Sequence, residues 1–201
     1  LQLKQKGVFH FPHDLDIQPA LHVHSWVIKK TSAATKSMEE CGVDDLRLVS
    51  SFDYLNRFLR APASEVMKTE EIYAAIAGFR YLGELDFSDM YYQLRFDLNC
   101  PKGKQDAAYL CLRTEYGSML YSGGPNGLLG VDTAQEELTS RLFGDLILQG
   151  HMAKLCDNIY FGAATFDKFV EVFEEILTRI HKASLRIKPQ KLHVNIARAP
   201  I

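Results

Sequence analysis

Apolar and polar positions along the chain alternate between two periods. Short runs of period two mark strands at Ser25-Trp26-Val27-Ile28 and Leu46-Arg47-Leu48-Val49. A polar stretch from Thr31 to Asp45 lies between them and reads as a hairpin loop with an insertion. Residues 1 to about 23 have weak periodicity and contain Pro12 and Pro19, so the expectation there is loop with short strands, and Ser51 to Phe58 is expected to be a turn or short helix. Period 3.6 sets in at Thr69, an N-cap candidate for a helix to about Phe79 with Ile72, Ile76 and Phe79 on one face. Ala108 to Leu112 and Ser118 to Tyr121 flank Glu115-Tyr116-Gly117 and predict a hairpin. After a glycine-rich run, Asp132 is expected to cap a helix to about Leu148 with Leu138, Leu142 and Leu146 at i, i+4 spacing. Strands follow at His151–Cys156 and Ile159–Gly162, with Asp157-Asn158 at a tight turn. Thr165 then opens a helix whose apolar stripe is Phe169, Val172, Phe173, Ile176, Leu177 and Ile180, and Leu185-Arg186-Ile187 closes as a strand. This order predicts an α+β fold with helices packed on one face of an antiparallel sheet.

Two apolar runs carry an aspartate where a core strand should have none: Asp86 in Leu85-Asp86-Phe87, the strand that follows the Thr69 helix, and Asp157, which sits with Asn158 between Leu155-Cys156 and Ile159-Tyr160-Phe161. An ionised carboxylate is costly to bury unless it is paired or holds a metal. If the two strands are neighbours, the carboxylates can meet at one Mg²⁺ site, which is a phosphoryl-transfer arrangement. Asn158 stands where a third acid is expected.

Composition narrows the picture. The 201 residues, 47% hydrophobic, are enough for one large domain or two small ones with a sizeable core. A net charge of −2 argues against a uniformly basic nucleic-acid binder but leaves room for local patches at Lys29-Lys30, Arg57 to Arg60, Lys102 to Lys104 and Lys182 to Lys191. The four cysteines show no CxxC spacing, and Cys111 and Cys156 lie in apolar runs, which suits a reducing, intracellular compartment. No apolar run reaches membrane-spanning length, so no membrane partner is expected. The chain begins at Leu1 and ends at Ile201, and reads as a segment of something longer.

Five ordered motifs, spread from about Trp26 to Leu192, resemble the fingers and palm of reverse transcriptases, most like those of gypsy-type LTR retrotransposons. The first is Val27-Ile28-Lys29-Lys30 followed by Arg47-Leu48-Val49-Ser50-Ser51-Phe52-Asp53-Tyr54-Leu55-Asn56; Ser51 and Asp53 depart from the family's acid and Arg. The second, Leu85-Asp86-Phe87-Ser88-Asp89-Met90-Tyr91-Tyr92-Gln93-Leu94, follows the family's Leu-Asp-Leu-x-x-x-Tyr-x-Gln-Ile nearly residue for residue. The third is Gly124-Pro125-Asn126-Gly127-Leu128-Leu129-Gly130. The fourth, Cys156-Asp157-Asn158-Ile159-Tyr160-Phe161-Gly162, resembles the Tyr-x-Asp-Asp turn with Asn158 in place of its second acid and Leu155 in place of the usual aromatic. The fifth is Leu185-Arg186-Ile187-Lys188-Pro189-Gln190-Lys191-Leu192, similar to Leu-x-Leu-Asn-Pro-x-Lys-Cys.

The resemblance implies a fingers region at 1–80 and a ferredoxin-like palm at 81–201, with a fingers hairpin returning at about 97–122 and no thumb, connection or RNase H region. It implies RNA-directed DNA polymerase activity on a primed RNA or DNA template with a deoxynucleoside triphosphate. Asp86, Asp157 and the Phe87 carbonyl would hold Mg²⁺, or Mn²⁺. Lys30 and Arg47 would bind the triphosphate. Phe87, Ser88, Asp89, Met90, Tyr91 and Asn126 would line the nucleotide, with Tyr91 as the wall that excludes a 2′-OH, and Lys191 would neutralise or protonate pyrophosphate. Asn158 keeps the shape of the second acid and loses its charge, so reduced catalysis is expected. The expected setting is a retroelement polyprotein with its neighbouring domains, or a homodimer, in a cytoplasmic virus-like particle or the nucleus. The competing expectation is a decayed or domesticated module that binds nucleic acid or a protein partner without polymerising.

Overall fold

A computed structural model describes residues 7–42, 45–61, 68–155 and 158–194. In chain order the elements begin with β1 (Phe9–His10), β2 (His22–Lys29), β3 (Leu46–Ser51), α1 (Asp53–Asn56), α2 (Thr69–Ala77), β4 (Tyr81–Asp86), α3 (Met90–Gln93) and α4 (Pro101–Ala108). They continue with β5 (Cys111–Thr114), β6 (Gly117–Tyr121), α5 (Val131–Leu148), β7 (Met152–Leu155), β8 (Asn158–Ala163), α6 (Phe166–Lys182) and β9 (His193–Val194). The chain divides into two compact units, Leu1–Ala61 with Leu94–Asp132, and Pro62–Gln93 with Thr133–Ile201.

The first unit is built on a five-stranded sheet of order β1-β6-β5-β2-β3. It is mixed, because β2 runs parallel to β5 while its other pairings are antiparallel. The β2–β3 hairpin forms as its alternation predicts, with Ile28 opposite Arg47. Under the sheet, Ile17, Ala107, Ala108, Cys111 and Leu120 pack together, and the Phe9 and Tyr121 rings meet at 4.5 Å. Helix α4 was not visible in the hydrophobic pattern, which showed Lys102 to Lys104 only as charge. Its signals are polar: Pro101 in the first turn, where the missing N–H costs nothing, and the Cys100 thiol accepting the Gly103 N–H at 3.3 Å. Lys104 is drawn inward as well, donating to the Leu15 carbonyl at 2.7 Å.

The second unit holds an all-antiparallel four-stranded sheet of order β7-β8-β4-β9. One face carries Leu85, Met152, Ile159 and Phe161, covered by α5 through Phe143 and Leu146 and by α6 through Phe169, Val172, Ile176 and Ile180. The other face carries Leu82, Ala153 and Tyr160, and here Ile72 of α2 is fully buried. Helices therefore lie on both faces, not on one as expected. The strands of this sheet are apolar on both sides at that end, so each face needs a cover. Gly83 faces Phe161 across the β4–β8 pair, and a Cβ there would come within 2.3 Å of the ring, so the glycine makes room for a core aromatic.

Several boundaries move. Lys68, not Thr69, is the N-cap of α2, and its N–H donates to Glu71 Oε2 at 2.9 Å. Asp132 sits inside the first turn of α5, where a carboxylate favours the helix dipole, and does not cap it. Leu185–Ile187 forms no strand. It makes a single bridge from Ile187 to Phe87, and the fourth strand of the sheet is the unforeseen β9. Asn158 is the first residue of β8, paired with both Leu155 and Asp86, and not a turn residue.

Candidate active site around Asp86

Asp86 ends β4, the central strand on which β8 and β9 are laid. Its parity along the strand is that of Leu82 and Glu84, so its carboxylate belongs to the sheet face opposite α5 and α6. It is 4% exposed. Asn158 is its register partner on β8, which puts the expected second acidic position beside the first. Asp157, the other predicted metal ligand, lies outside the described residues, as does Cys156.

The charge of Asp86 is answered by two ammonium groups. Lys191 Nζ donates to Oδ2 at 2.6 Å, and Lys188 Nζ lies 3.3 Å from Oδ1 and 3.2 Å from Oδ2. Lys191 was expected near the chemistry. Lys188 is the first base of the Lys188-Pro189-Gln190-Lys191 run, and only the fold brings it to Asp86. The segment that carries both lysines is tied to the end of β4. The Lys188 N–H donates to the Asp86 carbonyl at 2.9 Å, and the Ser88 N–H donates to the Arg186 carbonyl at 2.9 Å, on either side of the Phe87–Ile187 bridge. In that pattern the Phe87 carbonyl is turned to the other edge of the strand, toward β8.

The remaining residues of this motif divide by burial. Met90 is 1% exposed, and its side chain packs within the core cluster. The Phe87 ring is equally buried, which leaves its backbone as the only part able to serve a ligand. Ser88 and Tyr91 are half-buried, and Asp89 is exposed with a left-handed φ of 46°, a conformation Asp tolerates better than most residues.

On the same face, one step along the strands, Glu84 is buried opposite Tyr160. Burial pushes the Tyr160 phenol up from its ordinary value, and the Glu84 carboxylate adds to the effect. The phenol donates to Glu84 and accepts from the Asn158 amide, which opposes the rise. Neither Glu84 nor Tyr160 stood out in the sequence as more than strand residues.

In the first unit, Lys30 follows β2 and its N–H donates to the Asp45 carbonyl at 2.8 Å, extending the ladder by one pair. Lys30 is two residues from Ile28, the partner of Arg47, so Lys30 and Arg47 share one face of the hairpin, and both are exposed. Ser51, at the family's acidic position, donates to Asp53 Oδ2 at 2.8 Å. Asn126 is exposed in the loop before α5. Asn56 braces that loop, donating to the Gly127 carbonyl at 3.0 Å and accepting the Leu129 N–H at 2.9 Å. Gly127 and Gly130 both have φ of 90°, which an L side chain rarely adopts.

Among the described residues, no three His, Cys, Asp or Glu side chains gather as a metal site. The donors around Asp86 are its carboxylate, the Phe87 carbonyl and the Asn158 amide. These are all oxygens of the kind Mg²⁺ takes, and an ion there would replace the ammonium groups now at Asp86. Among the described residues no helix is long and apolar enough to cross a membrane.

No family profile and no curated protein matches the sequence. Solved structures do match. The foamy viral protease-reverse transcriptase in complex with an RNA/DNA hybrid superposes with a TM-score of 0.78 at 14% identity, over 99% of this chain and 24% of that one. The native prototype foamy virus protease-reverse transcriptase gives 0.74 at 14% identity, over 96% and 23%. The same foamy viral enzyme in complex with dsDNA gives 0.77 at 14% identity, over 99% and 37%. The fold is thus an α+β fold like that of a viral reverse transcriptase. At this identity the likeness is one of fold, and the chain spans about a quarter of the length of the first two structures it matches.

Proposed function

We propose that this chain is the fingers–palm segment of an RNA-directed DNA polymerase of retrotransposon type, which adds deoxynucleotides to a primer 3′ end. The observation that carries the reading is the place of Asp86. It is a buried carboxylate at the end of the central strand, beside Asn158 and faced by two lysines, in a fold shared with reverse transcriptases. In this reading residues 1–80 are the fingers and 81–201 the palm, with a fingers hairpin returning at about 97–122. Asp86, Asp157 and the Phe87 carbonyl would hold Mg²⁺ or Mn²⁺, which when bound supplies the positive charge that acidifies the primer 3′-OH and offsets charge on the phosphates.

The chain's own residues would do the rest. Lys30 and Arg47 present two cations on one face for a triphosphate, the Arg fork pairing with two phosphate oxygens. Tyr91 stands five residues after Asp86 as the wall that leaves a 2′-OH no room. Asn126 offers an exposed amide to the nucleotide. Lys191, whose Nζ lies at the Asp86 carboxylate, would give a proton or a charge to leaving pyrophosphate. The nucleic-acid partner follows from the neighbours, which were solved with an RNA/DNA hybrid and with dsDNA.

Asn158, together with the two ammonium groups on Asp86, favours a second reading: a module of this fold that holds nucleic acid or a protein partner without polymerising. The test uses the full-length protein that contains this segment, a primed RNA template and Mg²⁺. Extension of the primer supports the enzymatic reading. Tight binding of the primed template without extension, persisting in Asn158→Asp, supports the second, and no binding of either an RNA/DNA hybrid or dsDNA contradicts the enzymatic reading and the nucleic-acid form of the second.

A further inference from the structure

Lys188 occupies a position that only geometry reveals. Its ammonium lies nearly midway between the two Asp86 oxygens, at 3.3 Å and 3.2 Å, whereas Lys191 donates to Oδ2 at 2.6 Å. The Asp86 side chain is 5% exposed and has little access to water, so its charge must be met from within. The Lys188 side chain is 36% exposed on a long flexible stem and can turn outward at little cost. The Lys188 backbone cannot leave: its N–H is bonded to the Asp86 carbonyl, and the Arg186 backbone two residues earlier is held by Ser88 and by both ends of the Gln93 amide. The chain thus keeps a cation permanently within reach of one buried carboxylate. A divalent ion needs these same oxygens at about 2.0–2.1 Å. An ammonium shared between both oxygens and an ion bound to them would be like charges a few ångströms apart, so the two exclude one another.

We propose that Lys188 is a resident cation of this site: it neutralises Asp86 in the absence of a divalent ion and must leave the carboxylate for one to bind. Metal loading and the outward turn of Lys188 are then a single event, and Lys188 sets how tightly the metal is held. This rests on the reading of Asp86 as a metal ligand.

The experiment titrates Mn²⁺ into the full chain, stripped of metal, and follows free Mn²⁺ by electron paramagnetic resonance, with circular dichroism as the check on folding. Lys188→Asn is expected to bind Mn²⁺ at least about tenfold more tightly than the parent, and Lys188→Arg no more tightly. In the parent chain, labelling of Lys188 by an amine-reactive reagent is expected to rise as Mn²⁺ is added. Equal Mn²⁺ affinity in parent and Lys188→Asn overturns the proposal, and so does absence of Mn²⁺ binding in both. Should Lys188→Asn not fold, the labelling decides, and unchanged labelling of Lys188 across the titration overturns it. Binding of an RNA/DNA hybrid in the presence of a chelator, on the same samples, reports separately whether the nucleic-acid reading stands.

Discussion

The Gln93 side chain and the Arg186 backbone hold each other from both sides: Nε2 donates to the Arg186 carbonyl at 3.0 Å, and Oε1 accepts the Arg186 N–H at 2.6 Å. Nε2 also donates to the Ser88 carbonyl at 2.5 Å. One amide therefore joins the turn after β4 to the segment that delivers Lys188 and Lys191 to Asp86. Truncating it removes three hydrogen bonds, one of them part-buried, so Gln93→Ala is expected to lower stability by about 1–3 kcal/mol. Urea unfolding measures this, and an unchanged midpoint would show that the brace contributes nothing.

Asn158→Asp has two effects of opposite kind. The Asn158 amide donates to the Tyr160 phenol, which in turn donates to buried Glu84. A carboxylate has no N–H to give, so the substitution is expected to cost about 1–2 kcal/mol of stability. It also adds negative charge beside Asp86 and should raise Mn²⁺ affinity and any primer extension. Thermal unfolding and extension measured together check the pairing of effects; a gain in stability would mean that the Asn158–Tyr160–Glu84 chain is not a constraint.

Arg179 ties α6 to α5. Its guanidinium pairs with both Asp145 oxygens, with Nη2 to Oδ2 at 2.7 Å, and donates to the Leu142 carbonyl at 2.7 Å. Beside it, the Asp145 carboxyl is pulled down from 3.8 to about 2. Because the folded value is depressed, the pairing stabilises above the ordinary value and is lost as pH falls toward about 2. Asp145→Asn should therefore flatten the loss of stability between roughly pH 4 and pH 2 while leaving a smaller difference between parent and variant at the acid end. Urea midpoints across that range test it, and parallel curves for parent and variant would count against the pairing.

Gly123 lies against Leu94. A Cβ at residue 123 would come within 2.3 Å of the Leu94 carbonyl oxygen, and the Gly124 N–H donates to that same oxygen at 2.8 Å. Since a backbone carbonyl cannot swing aside as a side chain can, Gly123→Ala should cost about 1–3 kcal/mol. A variant as stable as the parent in urea would show that the approach is looser than described.

Much of this architecture could be read from apolar spacing. The α5 and α6 stripes, the β2–β3 and β5–β6 hairpins and the burial of Asp86 all follow from period and from the rule against apolar strands carrying acids. What escaped depended on polar and long-range contacts. Helix α4 starts from a thiol cap and a proline, β9 is two exposed residues that gain strand character only by pairing with Gly83 and Glu84, and α2 finds its place through Ile72 on a face assumed bare. At the site, the motif pointed to Asp86 and Lys191, while Lys188, Glu84 and Tyr160 become partners of that centre only once β4, β8 and the segment after α6 are side by side. Met90 of the same motif packs in the core cluster.

Asp86 is the proposed reaction centre of a nucleotidyl transferase. Single-nucleotide incorporation tests it most directly: the full-length protein bound to a primed RNA template, one matched deoxynucleoside triphosphate, Mg²⁺, and Asp86→Asn in parallel. Incorporation by the parent is expected, with a loss of at least about a thousandfold in Asp86→Asn and primed-template binding unchanged. Equal incorporation by parent and Asp86→Asn would contradict that role.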